Sequence, residues 1–301
     1  MTFSIRPDTR FFQLFRIIGG LLAALLIVVV PGCTAIRLGY NNAPEWSYWW
    51  LDGYFDFNDA QSLQVRGDLA ALQAWHRSDE LPAYIRVLGQ LQRMAPANVS
   101  AAQVCDVYAG FKPHTQALMD QAEPIIATVT PTLSPEQLDH LARQLDKRRT
   151  KWRGEWLDGS PSERRERRVK QLKERAEMFY RHLEQPQLDL LRASVATSAF
   201  DAAVNYRESL RRHQDILQTL RQIQSGPPHS QSERAAVHSL LARTLDSPNA
   251  AYRSYRDQVT QEDCQVFASL HNSTTPAQRL KLLETLKNYE ADARALMNPT
   301  R

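Results

Sequence analysis

Three cysteines carry the most specific chemistry in this chain. Cys33 closes an apolar run, Ile17 to Val30, that follows Arg6, Arg10 and Arg16. A thiol placed there, directly after Gly32, suits attachment of lipid. Cys105 and Cys264 stand far apart, and neither has a second Cys or His at zinc-ligand spacing. In an oxidising compartment two such thiols are a natural pair. A bridge between them closes a loop of about 160 residues, nominally ~5 kcal/mol in the chain-entropy model. The other reading is two buried thiols acting as small apolar residues.

The remaining reactive residues select no reaction. His76, His114, His140, His182, His213, His229, His238 and His271 are scattered, and no pair sits at i, i+4 with the glutamate of a zinc protease. Nucleophile elbow, phosphate-cradling loop and dinucleotide fingerprint are missing. Carboxylates abound, but nothing singles out a pair for glycan cleavage. No catalytic residue, metal or cofactor is predicted. Between Arg143 and Arg175 lies the most basic stretch, including Arg148, Arg149, Arg164, Arg165, Arg167 and Arg168. These arginines could meet an anionic partner such as lipid headgroups, lipopolysaccharide or acidic protein segments. Asp146, Glu155, Glu163, Glu166 and Glu174 are interspersed, so the same stretch also reads as solvated helix faces with i, i+4 pairs.

A basic start and a short apolar run make an export signal. Ile17 to Val30 is 14 residues, short of the ~20 that a spanning helix needs. Val30-Pro31-Gly32-Cys33 resembles the bacterial lipobox, with Pro31 and Val30 as departures from its usual pattern. An uncleaved anchor and a signal cut elsewhere are the alternatives. Thr34, not Asp, follows the cysteine, which by resemblance to enterobacterial sorting rules points to the outer membrane, facing the periplasm. The expected layout is a signal peptide over 1–32, a lipidated and aromatic membrane-proximal segment over 33–57, and a helical domain over 58–301. Three arginines and one aspartate lie in residues 1–32, leaving 34 basic and 32 acidic residues, a net +2 against +4 for the whole chain. So balanced a charge argues against a nucleic-acid binder.

The elements that must position these residues read as helices. The 301 residues include only 11 glycines, with 43% hydrophobic residues. Capping boxes, in which a cap side chain and the side chain three residues on each satisfy a backbone donor, occur at Asn58/Gln61, Ser100/Gln103, Ser134/Gln137, Ser160/Glu163, Ser230/Glu233 and Thr275/Gln278. Apolar residues recur at helical spacing through Leu138, Leu141 and Leu145, through Leu172, Ala176 and Phe179, through Tyr206, Leu210, His213, Leu217 and Leu220, and through Leu280, Leu283 and Leu286. No segment alternates with period two. The prediction is all-α, an extended antiparallel multi-helix bundle. Ser225 to Ser230 and Asp158 to Pro161 read as linkers within one continuous body, of one lobe or two. Trp46, Trp49 and Trp50 share one helix face. They either pack into the core or rest at a membrane interface.

The run Cys33-Thr-Ala-Ile-Arg-Leu-Gly-Tyr-Asn-Asn-Ala-Pro, then Trp49-Trp50-Leu51-Asp52, Ala74-Trp75-His76-Arg77 and Glu80-Leu81-Pro82, resembles a family of proteobacterial lipoproteins, number 6279 in the domain-of-unknown-function series, over nearly all of the mature chain. That resemblance implies a helical envelope lipoprotein and transfers no catalytic residue. Leu133-Ser134-Pro135-Glu136-Gln137 and Thr275-Pro276-Ala277-Gln278 are similar to the Leu-Thr-x-x-Gln motif of small periplasmic stress chaperones. The expected function is a non-enzymatic binding or structural protein, tethered to the membrane by its N-terminal lipid, whose partner is a periplasmic protein or envelope component. A chaperone for unfolded envelope proteins and an envelope hydrolase are the alternatives. The oligomeric state is left open.

Overall fold

A computed structural model describes residues 33–226 and 231–297. The predicted signal peptide and the linker residues 227–230 lie outside the described residues. The chain divides into two compact units, 1–42 and 43–301. The described part of the first is helix α1 (Cys33–Asn41), followed by Asn42, whose backbone and side-chain N–H groups both donate to the Leu38 carbonyl.

The second unit is all-α among the described residues. Its first half runs α2 (Ala43–Phe55), α3 (Asp59–Trp75), a π-helical turn (His76–Glu80), α4 (Leu81–Met94), α5 (Ala101–Ala109), α6 (Lys112–Val129), a 3-10 turn (Thr130–Thr132) and α7 (Pro135–Trp156). The second half runs α8 (Pro161–Tyr180), α9 (Gln185–Thr197), α10 (Ala202–Gln224), α11 (Gln231–Leu245), α12 (Ala250–Asn272) and α13 (Pro276–Met297). The boxes at Asn58, Ser100, Ser134 and Ser160 cap α3, α5, α7 and α8, and Thr275 and Gln278 exchange the same bonds at α13. Ser230 lies outside the described residues. Glu184 and Gln187 form a box at α9 that the Ser/Thr/Asp/Asn rule does not find. On α13 the predicted stripe is out of phase at its start: Leu280 is exposed, and Gln278, Leu282, Leu286, Ala293 and Leu296 face inward.

The two halves repeat one plan. In the first, α2 packs on α3 and α7, and α3 on α6. In the second, α8 packs on α9 and α13, and α9 on α12. The middle helices are exchanged: α4 and α5 pack on α13 and α12 of the second half, while α10 and α11 pack on α7 and α6 of the first. Two main cores result. One gathers Tyr48, Val65, Val129, Leu138, Leu141 and Leu220, the other Tyr180, Leu183, Leu191, Leu270, Leu282 and Leu286.

Each core is closed by a matching pair of glutamines. The Gln61 side-chain amide donates to Gln137 Oε1 (3.2 Å) and the Gln137 amide to Gln61 Oε1 (2.8 Å). Gln61 also donates to the Thr132 carbonyl (2.8 Å) and Gln137 to the Asp56 carbonyl (2.8 Å), each two residues before the partner's cap. In the second half Gln187 and Gln278 bond each other the same way (2.8 and 3.0 Å), with the Ser273 and His182 carbonyls as their further acceptors (3.2 and 2.9 Å). All four side chains are buried, and every amide is used both to cap its own helix and to hold the opposite turn. Buried polar groups need such complete pairing. In each half the turn before the first of these caps holds a non-glycine residue of positive φ, Asp56 at 51° and Arg181 at 62°, a strained conformation held by its surroundings.

Candidate functional site

Helix α2 is apolar on two faces, and only one is used by the core. Tyr48 is buried, and Leu51, Tyr54 and Phe55 pack against the same cluster. Trp46, Trp49 and Trp50 lie on the other side and are 57%, 59% and 55% exposed. Of the two sequence readings, core packing is therefore not what these indoles do. They are ordered from behind: Trp49 meets the edge of Tyr48 at 5.3 Å, and Trp50 packs on Tyr54 at 4.8 Å. The Arg66 guanidinium lies 3.6 Å from the centre of the Tyr48 ring and pairs with Glu45. Cys33 begins α1, and its side chain lies outside the described residues.

The six arginines separate. Arg164, Arg165 and Arg168 line one hollow of about 390 Å³ with Trp156, Phe200 and Asp201. Arg164 is also committed to the carbonyls of Leu157 and Gly159 (3.0 and 2.9 Å), and Arg167 to that of Asp158, so both serve the end of α7. Arg168 stacks 4.2 Å above the Phe200 ring beside Asp263, where burial lowers its pKa from the ordinary arginine value. Arg148 donates to the Tyr54 hydroxyl (2.9 Å) and Arg149 pairs with Asp146. Gly159 has φ +90°, and a Cβ there would meet Glu163 Oε2 at 2.9 Å. The turn between the basic helices thus requires glycine.

Cys105 and Cys264 are joined by a disulfide, with Cα atoms 5.5 Å apart. It ties the short α5 to α12. Beside it opens a cleft of about 290 Å³ that sequence reasoning did not find, because its wall is drawn from five helices and the segment before α5: Leu91 and Met94, Val104, Val107 and Tyr108, Phe179, Phe267, and Leu282 and Leu286 are its main lining. The one local signal is the spacing Val104, Val107, Tyr108 on α5. His271 is the sole titratable imidazole in the wall, and both its nitrogens are used. Nε2 donates to the Ala97 carbonyl (2.8 Å), so Nδ1 accepts from the Tyr180 hydroxyl (2.9 Å). Burial lowers the His271 pKa and raises that of Tyr180.

Titratable groups also gather at the π-helical turn and between α6 and α11. At the π-helical turn, Glu80 is buried and lies 2.7 Å from His114 Nδ1, with the Tyr84 ring packed between His76 and His114. Between α6 and α11, Asp120, Glu123, Glu233 and Arg234 line a polar hollow of about 470 Å³, where Glu123 pairs with His238 at 2.8 Å. Among the described residues no group of three or more His, Cys, Asp or Glu is placed to hold a metal ion, and no helix is long and apolar enough to cross a membrane.

These features define a class: an all-helical protein of two exchanged halves, each closed by a glutamine pair, with an outward indole face and an apolar cleft. The chain belongs to the family of unknown function DUF6279, whose family model matches residues 53–242. The match runs from the end of α2 into α11 and stops short of α12 and α13. No curated protein and no solved structure matches the chain.

Proposed function

We propose that this protein is a non-enzymatic, lipid-anchored component of the outer membrane, facing the periplasm, whose helical body lies against the membrane and binds an envelope partner there. The observation that carries this reading is the indole face of α2. Three tryptophans in five residues are each more than half exposed, 13 to 17 residues after the cysteine of the lipobox-like run. Indole rings favour the headgroup level of a bilayer, and a body tethered by lipid chains is held within reach of it.

The test has two parts. On fractionation the wild-type chain goes with the outer membrane, and Cys33→Ser does not; wild-type protein in the cytoplasm overturns the anchor. For the indole face, the full chain is placed in nanodiscs containing brominated phospholipid. Tryptophan emission is quenched in the wild type, and the lipid-dependent quenching disappears when Trp46, Trp49 and Trp50 are replaced by Phe. Equal quenching in the variant overturns the membrane-facing role.

A chaperone role is the second reading. It is favoured by the recurrence of the Leu-Ser-Pro-Glu-Gln-type cap at Ser134 and Thr275, although both glutamines are committed to the buried pairs. The full chain in nanodiscs should then suppress aggregation of an unfolded protein, and failure to do so removes this reading.

A further inference from the structure

The exchanged halves place two equivalent corners in the molecule. In one, α11 packs against α6 and α10, and the apolar interior is filled by Ile223, Val237 and Ala127, with Val237 wholly buried, so that the hollow left between α6 and α11 is the polar one lined by Asp120, Glu123, Glu233 and Arg234. In the other, α4 and α5 face α12, and the corresponding space is the open apolar cleft. Each corner also has its own tie between equivalent helices: His238 to Glu123 in the first, the Cys105–Cys264 disulfide in the second. The fold can therefore fill the apolar interior of this corner with its own side chains. In the second corner it leaves the space open and leaves Tyr108 and Phe267 62% and 45% exposed at the cleft.

The chemistry of the wall decides what fits. The lining is aliphatic and aromatic, and the two nitrogens of His271 are already bonded. A peptide backbone laid into this cleft would bury N–H and C=O groups without partners, which is costly. A methylene chain has no such groups and gains from every contact. The volume lies near the lower end, ~300 Å³, of the range for small-molecule sites, which suits one chain and not a whole lipid. We infer that the cleft is a binding site for a single aliphatic acyl chain, with α5 as its roof and the disulfide holding the roof in place. The inference stands independently of the indole face, which lies on α2.

The acyl chain could belong to a free fatty acid or to a membrane lipid, and the test separates these sources. The full chain in nanodiscs of phosphatidylethanolamine and phosphatidylglycerol is offered, in separate arms, a fatty acid carrying a photoactivatable diazirine or a phospholipid with the same group in one acyl chain. Crosslinks are mapped by mass spectrometry. The expected result is labelling concentrated on α4, α5 and α12 in at least one arm, and the labelled arm names the source. Val107→Trp, which fills the cleft, and Phe267→Asp, which places a carboxylate at an exposed position beside it, each reduce that labelling about tenfold or more. Phe267→Asp touches no buried position, so it remains decisive if Val107→Trp disturbs folding. The proposal is overturned if neither arm labels these helices above the other exposed helices, if Phe267→Asp leaves the labelling unchanged, or if an unstructured apolar peptide displaces the label and unlabelled fatty acid does not. Crosslinks to the peptide holding Trp46, Trp49 and Trp50 report on membrane contact and are scored separately.

Discussion

His213 sits on the seam of α10 as a half-buried imidazole whose Nδ1 has no hydrogen-bond partner among the described residues. Burial, with Arg149 and Arg148 nearby, lowers its pKa, and burial also lowers those of His76 and His271. In each case the unfolded chain takes up a proton that the folded chain resists. The resulting loss of stability is absent above about pH 6.5, the ordinary imidazole value, and grows as the pH falls below it. Urea unfolding at about pH 7.5 and pH 5.5 should therefore give a lower midpoint at the acid value. His213→Leu removes one unsatisfied polar group and one of these protonations. It should raise stability by about 1 kcal/mol and lessen the acid loss. An unchanged pH dependence would show that His213 does not titrate differently on folding. The carboxylates act at lower pH. Burial pushes the Glu208 carboxyl up, but hydrogen bonds from Arg211, Arg212 and Ser247 hold it below the usual range, and that stability is lost only as the pH falls through the carboxylate region.

At the scale of elements, the glutamine pairs are the least replaceable part of the fold. Each of the four side chains closes its own helix and bonds the facing turn, so truncating one leaves several buried groups unpaired. Gln187→Ala should cost about 2–4 kcal/mol. A Gln187/Gln278 double-mutant cycle should return a coupling of about 1–3 kcal/mol, measured by urea denaturation. A coupling near zero would mean that the two amides act separately. These helix starts were largely legible in the sequence. Asn58, Ser134 and Thr275 have cap chemistry and a glutamine three residues on, and Pro135 and Pro276 fit the first helical position. Glu184 was not legible as a cap, because its class favours the first turn more than the cap itself. Nor was the pairing. Gln61 and Gln137 are 76 residues apart, Gln187 and Gln278 are 91, and a capping rule describes three-residue neighbourhoods. The cleft escaped for the same reason: Leu91, Val107 and Phe267 meet only because distant helices cross.

The whole molecule is two repeats that complete each other. Part of each core is supplied by the other repeat: Leu220 joins the first core, and Ala95 with Leu88 and Leu91 joins the second, as α4 and α5 rest on α13 and α12, and α10 and α11 on α7 and α6. Neither half has its full core alone. Splitting the chain at Gly159, between α7 and α8, should give two pieces of low helicity that regain it when mixed, as followed by circular dichroism. Two pieces that fold separately, and do not associate, would refute the exchanged arrangement. The all-α class and the bundle were readable from cap spacing and the three-four seam of Leu138, Leu141 and Leu145. The exchange was not, since a helix stripe states that a face is covered without saying by which partner.

The exchange also sets an order in time. A chain released from its N-terminus presents α4 and α5 long before α12 and α13 exist, so the first half must wait with apolar surface uncovered. Cys105 precedes its partner by 159 residues, and its bond can close only when α12 has emerged. The disulfide is in this sense a progress mark: a molecule that carries it has brought out every helix through α12, with at most α13 of the described helices still to follow.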